Sequence, residues 1–426
     1  MTVRDMTMLA EQKVESRVDR ILRDREEAQV NSKDDVLLGF FGDYVLHSDV
    51  ALRHTRFIRD LCGSRDSSDC FKQALLAAAL SNRANQLGHQ QMAAEADATY
   101  GFALISLNAA LQNPAELKKD STLAASWLVG MCELLSGRSV LEKHHHRGRS
   151  QLLRLRGAEQ FRSPVGKCLY AVTHSLAIQH NLNLLERPIE EAAEYLELCG
   201  IKKPPLQIER LHLRTAYWCA EARLLFESDF QHPWSQLQLQ NHIQTGFAID
   251  AGYQKWLDTY LSSDTWGRRT ISLPSESSTH AVGQEAYTYH DLWIANIWLG
   301  HYSKRMHLHN LLLHCLSLLD EHDRLRMREA YSRAIVENMV SGVCASVPFM
   351  LYEIDSKGNE TRARRKIALC GYLLLCQLHM ARWSVEQGSE RERWIIATLE
   401  FIDQSMGIRS ARVLALKPRK EPWRLV

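Results

Sequence analysis

The stretch EKHHHRGRSQLLRLRG, residues 142–157, decides how this chain is interpreted. Its histidines and cations admit three structures: a metal site, a nucleic-acid patch, or an ordinary helix with a capped end. Because successive residues of a helix point about 100° apart, His144, His145 and His146 cannot hold one metal ion together. The positions one turn further on carry glycine and arginine, which are not metal ligands. The stretch therefore predicts a helix, and we expect no metal site here.

The glycines and cations of this stretch predict how the helix ends and packs. Gly157 follows the last apolar residue and suits a left-handed C-cap, a conformation that glycine adopts with little strain. Arg154 and Arg156 bring positive charge to the negative end of the helix dipole. Gly148 is expected to let a neighbouring helix approach closely. The buried side is expected to consist of Leu152, Leu153 and Leu155.

The composition predicts an all-α protein. Only 10 prolines and 21 glycines occur in 426 residues, and the segments between them are rich in residues of high helix propensity. No run alternates as a strand does over a useful length. We therefore expect a large multi-helix domain with twelve or more helices and no significant β-sheet. Residues 228–285 look less regular, and residues 272–283 are the best candidate for an exposed loop.

The chain divides into three parts by composition. Residues 1–35 are highly charged, with a narrow apolar stripe at helical spacing, and predict a helical leader. Residues 36–416 contain the core-forming helices, and residues 417–426 form a basic tail. The apolar runs are too short to span a bilayer, so no membrane association is expected. The basic runs 362–366 and 417–420 resemble weak nuclear-import signals, with a solvated helix face as the alternative.

No motif of a catalytic or cofactor site is present. GxSxG, GxxxxGK[ST], GxGxxG, HExxH and CxxC are all missing, so we predict no catalytic residue, no cofactor and no zinc site. A second histidine cluster has no acidic partner at i+3 or i+4, and its members are expected to be structural: His301, His307, His309 and His314. The ten cysteines are expected to be reduced and mostly buried.

Four stretches resemble the fungal-specific transcription factor domain, an all-helical regulatory region, and they follow one another within residues 36–416. The first, STLAASWLVGMCELLSG (residues 121–137), is similar to a helix of that family in which Glu133 precedes Gly137. The second, HHRGRSQLLRLRG, resembles a signature of histidine, glycine, two aliphatic residues and Arg-Gly. Its positions in this chain are His145, Gly148, Leu152, Leu153, Arg156 and Gly157.

The other two stretches lie in the C-terminal half. LWIANIWLGHYSKRMHLHNLLLH (residues 292–314) resembles the tryptophan-containing helix of the family. SVPFML (residues 346–351) and the segment 372–415 are similar to its C-terminal end, with a tryptophan and a closing Gly-Ile at matching places. One departure is visible, because many members have Leu-Trp-Pro where this chain has Leu-Leu-Cys at residues 374–376.

The resemblance implies a transcription regulator or co-regulator of a fungal biosynthetic gene cluster, located in the nucleus, with the cytoplasm as the alternative. Typical relatives begin with a six-cysteine zinc cluster that binds DNA, whereas no cysteine precedes Val36 here. We therefore expect no direct sequence-specific DNA binding, and action through protein partners, either a DNA-binding relative or a second copy. Two alternatives stay open: a DNA-binding exon left out of the sequence, or recruitment of the fold as a small-molecule-binding protein or enzyme of secondary metabolism.

A small-molecule effector is the further expectation from the aromatic residues of the long helix within 289–319. Trp293, Trp298 and Tyr302 are the candidate lining of a cavity for an apolar or aromatic metabolite. The alternative is packing. Trp293 and Trp298 lie about 140° apart around a helix, so both are buried only if that helix is surrounded.

Overall fold

Sixteen α-helices and one two-stranded sheet make up the part of the chain that the computed structural model describes, which confirms the predicted all-α class. The described residues are 33–45, 55–64, 67–138, 143–226, 233–273, 285–319, 323–361 and 367–418. The first eight helices are α1 (Lys33–Tyr44), α2 (Arg56–Cys62), α3 (Asp69–Leu87), α4 (Gln90–Gln112), α5 (Pro114–Leu117), α6 (Asp120–Ser136), α7 (Lys143–Arg156) and α8 (Pro164–Leu184). A 3-10 helix, Gly157–Arg162, joins the last two of these.

The other eight helices follow with the sheet among them. They are α9 (Ala192–Leu198), α10 (Pro205–Phe226), α11 (Pro233–Tyr260), α12 (Leu292–Ser317), α13 (Asp323–Met350), α14 (Ala368–Ser384), α15 (Glu390–Met406) and α16 (Arg409–Leu416). The strands β1 (Arg268–Ser272) and β2 (Glu285–Tyr289) lie between α11 and α12 and pair antiparallel, with Arg268 opposite Tyr289.

Capping residues explain why several helices begin where they do. Ser163 accepts a hydrogen bond of 2.7 Å from the backbone N–H of Gly166, and Pro164 occupies the first turn of α8. Asp291 caps α12 in the same way, by accepting a hydrogen bond of 2.8 Å from the N–H of Ile294. The predicted start of a helix at Ser163-Pro164 is therefore confirmed.

Helix α12 lies at the centre of the fold. Of its 26 residues, 20 are buried, including polar and charged ones. Contacts with α10, α11, α13, α14 and β2 surround it. A surrounded helix can bury side chains on every face, which is the condition under which both of its tryptophans pack inside the protein.

The N-terminal and C-terminal helices are joined directly by side-chain amides. Asn82 of α3 donates a hydrogen bond of 3.0 Å to the carbonyl of Met406, at the end of α15. Asn85 donates to the carbonyls of Leu135 at 2.6 Å and of Gly407 at 2.9 Å. These bonds hold α3, α6 and α15 together, so the two ends of the predicted 36–416 segment belong to one packed body.

Helix α11 is a helix of 28 residues that the sequence analysis does not predict. Its buried residues Leu239, Ile243, Asp250 and Tyr253 do recur at helical spacing. The apolar signal is weak, because one of these positions is a buried carboxylate and several glutamines stand between them. The expectation of an irregular segment at 228–285 is therefore wrong for residues 233–260.

Several other expectations lie partly or wholly outside the described residues. The structure describes neither residues 1–32 of the charged leader nor residues 419–426 of the basic tail, and it describes neither the basic run 362–366 nor residues 274–283 of the expected loop. Helix α1 already begins at Lys33, within the segment assigned to the leader.

Candidate functional site

Residues 143–156 of the histidine-rich stretch form α7, and the predicted end of this helix is confirmed. The helix stops at Arg156, and Gly157 has a left-handed backbone with φ of 59°. Leu152 and Leu153 are buried, as expected. The histidine-rich start of the stretch is thus the start of an amphipathic helix.

Two details of the predicted packing of α7 are wrong. Gly148 is exposed, and a Cβ atom at this position would have no neighbour within 4 Å among the described residues, so none of the described helices approaches it closely. Leu155 is half exposed, at 50%. Sequence periodicity defines an apolar side for a helix but not which residues its neighbours cover. Here they cover the polar residues His146, Arg149 and Arg156 as well as Leu152 and Leu153, while Leu155 stays half exposed.

His145 joins two of the stretches that carry the resemblance. Its Nε2 atom lies 2.7 Å from Oε1 of Glu133 in α6, and the same carboxylate oxygen accepts a hydrogen bond of 2.7 Å from the hydroxyl of Tyr100 in α4. All three side chains lie at partly buried positions. The histidine and the glutamate of the two motifs therefore form one structural contact between helices.

Arg156 has a more specific partner than the helix dipole. Its buried guanidinium donates one hydrogen bond to the carbonyl of Lys119 at 2.9 Å and another to the carboxylate of Asp120. Asp120 also accepts a hydrogen bond of 2.9 Å from Ser163. The end of α7 is thereby tied to the start of α6 and to the cap of α8, and this contact requires a forked cation.

A cavity of about 120 Å³ lies between these helices and the central helix α12. Helices α6, α7, α8, α12, α14 and α16 contribute to its wall, together with Thr55 before α2. Its polar and charged lining is formed by Thr55, His146, Arg149, Ser175, Gln179, His180, Asn183, Asn296, Lys304, Gln377 and His379. Its other lining residues are Trp127, Leu134, Val172, Leu176, Leu369, Tyr372, Leu373, Leu375, Cys376, Met380 and Leu414. A mixed wall of this kind is typical of small-molecule sites.

Two imidazole rings stack at one side of the cavity. His146 of α7 and His180 of α8 have ring centroids 3.8 Å apart at an angle of 31°. Burial, followed by repulsion from His180 and Arg149, lowers the pKa of His146 to about 2. His146 is therefore neutral at physiological pH and presents a polar but uncharged ring to the cavity.

The histidines of α12 are buried in different surroundings, and they do not meet at one point. His301 stacks on Trp256, with ring centroids 5.4 Å apart. His309 places Nε2 2.9 Å from Oδ1 of Asp250, which also accepts a hydrogen bond of 2.7 Å from Arg305. The acidic partner missing from the local sequence is supplied by α11. Within the described ranges, no group of three or more metal-ligating side chains is assembled.

The candidate cavity residues Trp293, Trp298 and Tyr302 lie elsewhere, in an aromatic cluster of the core. Trp298 is fully buried and donates a hydrogen bond of 2.9 Å to the carbonyl of Trp266, while Trp293 packs edge-on against the Trp266 ring at 5.4 Å. Tyr302 is covered by Gly342 of α13, where a Cβ atom would lie 2.8 Å from the tyrosine ring. Their arrangement matches the packing alternative, and α12 contributes Asn296 and Lys304 to the cavity instead.

Comparisons with protein-family models, with curated proteins and with solved structures found no match. Among the described helices, none is both long and apolar enough to cross a membrane. The fold and the site together define an all-α domain with a mixed polar and apolar cavity beside its central helix.

Proposed function

We propose that this protein is a transcription regulator or co-regulator of a fungal biosynthetic gene cluster, and that a small molecule in the central cavity controls it. One observation carries the proposal: all four stretches that resemble the fungal-specific transcription factor domain contribute to the wall of this one cavity. One side chain from each stretch is Trp127, His146, Lys304 and Tyr372. The departure at 374–376 also falls on the wall, at Leu375 and Cys376.

The position of the cavity supports ligand control. A molecule bound there contacts α7, α8, α12 and α14 at once, so its binding energy would favour one arrangement of these helices over others. It would also stabilise the folded state in proportion to its concentration relative to its dissociation constant. Such a shift can expose or cover a surface for a protein partner. In this proposal the regulator acts through that partner, a DNA-binding relative or a second copy of this chain.

The same cavity supports a second candidate, a small-molecule-binding protein or enzyme of secondary metabolism without a role in transcription. The two candidates differ in what depends on them. A regulator changes the levels of many transcripts, whereas an enzyme or carrier affects one metabolic step.

A reporter assay with the full chain tests the proposal. The full chain would be fused to an unrelated DNA-binding module in a fungal host whose reporter carries the matching site. We expect the fusion to change reporter output, and Lys304→Met in the cavity wall to alter that change. The matched control is Lys357→Met, the same substitution at an exposed turn residue. Reporter output equal to that of the DNA-binding module alone would contradict the proposal.

A further inference from the structure

We propose that the ligand of the central cavity is a small organic acid whose carboxylate pairs with Lys304. This inference rests on the proposed ligand control of the protein and names the chemical class of the ligand. It is carried by the charge, the hydrogen bonding and the volume of the cavity wall.

The charged residues of the wall all have the same sign. Of the 22 lining residues, Lys304 and Arg149 are basic and none is acidic. Both cations are buried, with relative exposures of 5% and 2%. An arginine keeps its charge in proteins, so the wall carries at least one buried positive charge at any physiological pH. A positive wall without a carboxylate favours an anionic ligand.

Of the two cations of the wall, Lys304 is the one whose ammonium group is available to bind a ligand. Its Nζ makes no hydrogen bond or ion pair with any part of the chain that the structure describes. Glu209 attracts it, but from beyond ion-pair distance, and burial lowers the pKa of Lys304. A buried ammonium without a partner is costly, and a carboxylate in the cavity would supply the opposite charge and accept its hydrogen bonds. Arg149, by comparison, already donates a long hydrogen bond of 3.5 Å to the carbonyl of Ser126.

The volume of the cavity and its other lining residues indicate the size and polarity of the acid. A volume of about 120 Å³ is somewhat smaller than a cavity of about 150 Å³ that holds one benzene ring, and it therefore suits a molecule of about five or six non-hydrogen atoms. Trp127, Leu176 and Met380 offer apolar contacts for a short chain. The side-chain oxygen of Gln377 makes no hydrogen bond within the described residues and can accept one from a ligand hydroxyl. A short aliphatic monocarboxylic acid fits these features.

Matched pairs of probe molecules test this inference on the purified full chain. Propionate, butyrate and isobutyrate would each be compared with the corresponding primary amide, which has nearly the same shape and no charge. Binding would be measured by calorimetry and by the shift of the melting temperature. We expect at least one acid to bind more than tenfold more tightly than its amide, and Lys304→Met to remove this preference while Lys357→Met retains it.

The results distinguish the assignment of an anionic ligand from the proposed ligand control of the protein. If the amides bind as tightly as the acids, the assignment of an anionic ligand is wrong, and the cavity remains a small-molecule site. If neither series binds, the ligand assignment and the proposed ligand control are both wrong. Should Lys304→Met melt far below the native protein, Lys304→Gln provides a second variant with a polar but uncharged side chain. It should also lose the preference for acids, and a preference equal to that of the native protein would contradict the assignment to Lys304.

Discussion

Gly148 and Gly157 belong to the same helical stretch but occupy opposite backbone environments. Gly157 has a positive φ, so Gly157→Ala introduces a Cβ atom where left-handed backbone is strained, and it should destabilise the protein by about 1 kcal/mol. Gly148 has an exposed helical position with open space around it, so Gly148→Ala should stabilise by about 0.5–1 kcal/mol. Urea unfolding of the two variants measures both effects, and equal signs would contradict this description of α7.

The ionisation of the buried His379 should be visible in the pH dependence of the stability of the protein. It makes no hydrogen bond within the described residues, and burial, followed by repulsion from Lys417 and Arg382, lowers its pKa to about 3. In the unfolded chain this imidazole takes up a proton near pH 6.5, whereas in the folded chain it stays neutral down to about pH 3. The free energy of unfolding therefore decreases as the pH falls below 6.5.

The variant His379→Leu should remove this pH dependence. In the native protein, His379 should lower the free energy of unfolding by about 1.4 kcal/mol for each pH unit below 6.5. Between pH 7.5 and pH 5 the variant should therefore lose about 2 kcal/mol less stability than the native protein. Urea unfolding at these two pH values measures the difference. An identical loss in variant and native protein would show that His379 is not held neutral by the fold.

At the scale of helices, Arg156 determines how α6, α7 and α8 meet. Arg156→Met keeps most of the side-chain volume but removes the hydrogen bonds to Lys119 and Asp120, and it should destabilise by about 1–3 kcal/mol. Arg162→Met is the matched control. It removes an ion pair with Glu159 in which both side chains are largely exposed, and it should change stability little. Thermal unfolding should separate the two, and similar melting temperatures would contradict the assigned role of Arg156.

The helices show how far sequence reasoning reaches. Capping residues such as Ser163 and glycines such as Gly157 act locally, so the helix boundaries they set could be predicted. Helix α11 could not, because its buried face includes Asp250, whose partners Arg305 and His309 lie far away in the sequence. The sheet could not be predicted either, because each strand has only five residues and forms only by pairing with the other strand.

At the scale of the whole molecule, the central helix α12 explains why the three candidate residues do not line the cavity described above. The sequence identifies Trp293, Trp298 and Tyr302 by their size, but large aromatic side chains fill space in a surrounded helix. The better signal in hindsight is Lys304, which with Arg305 makes up the only Lys, Arg, Asp or Glu residues of this buried helix. Which helices face it depends on long-range packing, so the cavity wall could not be derived from local pattern.

Our central claim is that this chain controls transcription in response to a ligand held at Lys304. Transcript profiling tests that claim most directly, in strains that carry the native gene, a deletion, Lys304→Met or Lys357→Met, with protein levels checked to be equal among the three protein-producing strains. We predict that the deletion changes many transcripts together, that Lys304→Met changes the same set, and that Lys357→Met leaves it unchanged. If the transcripts of the Lys304→Met strain match those of the native strain, the claim is contradicted, whatever the deletion changes.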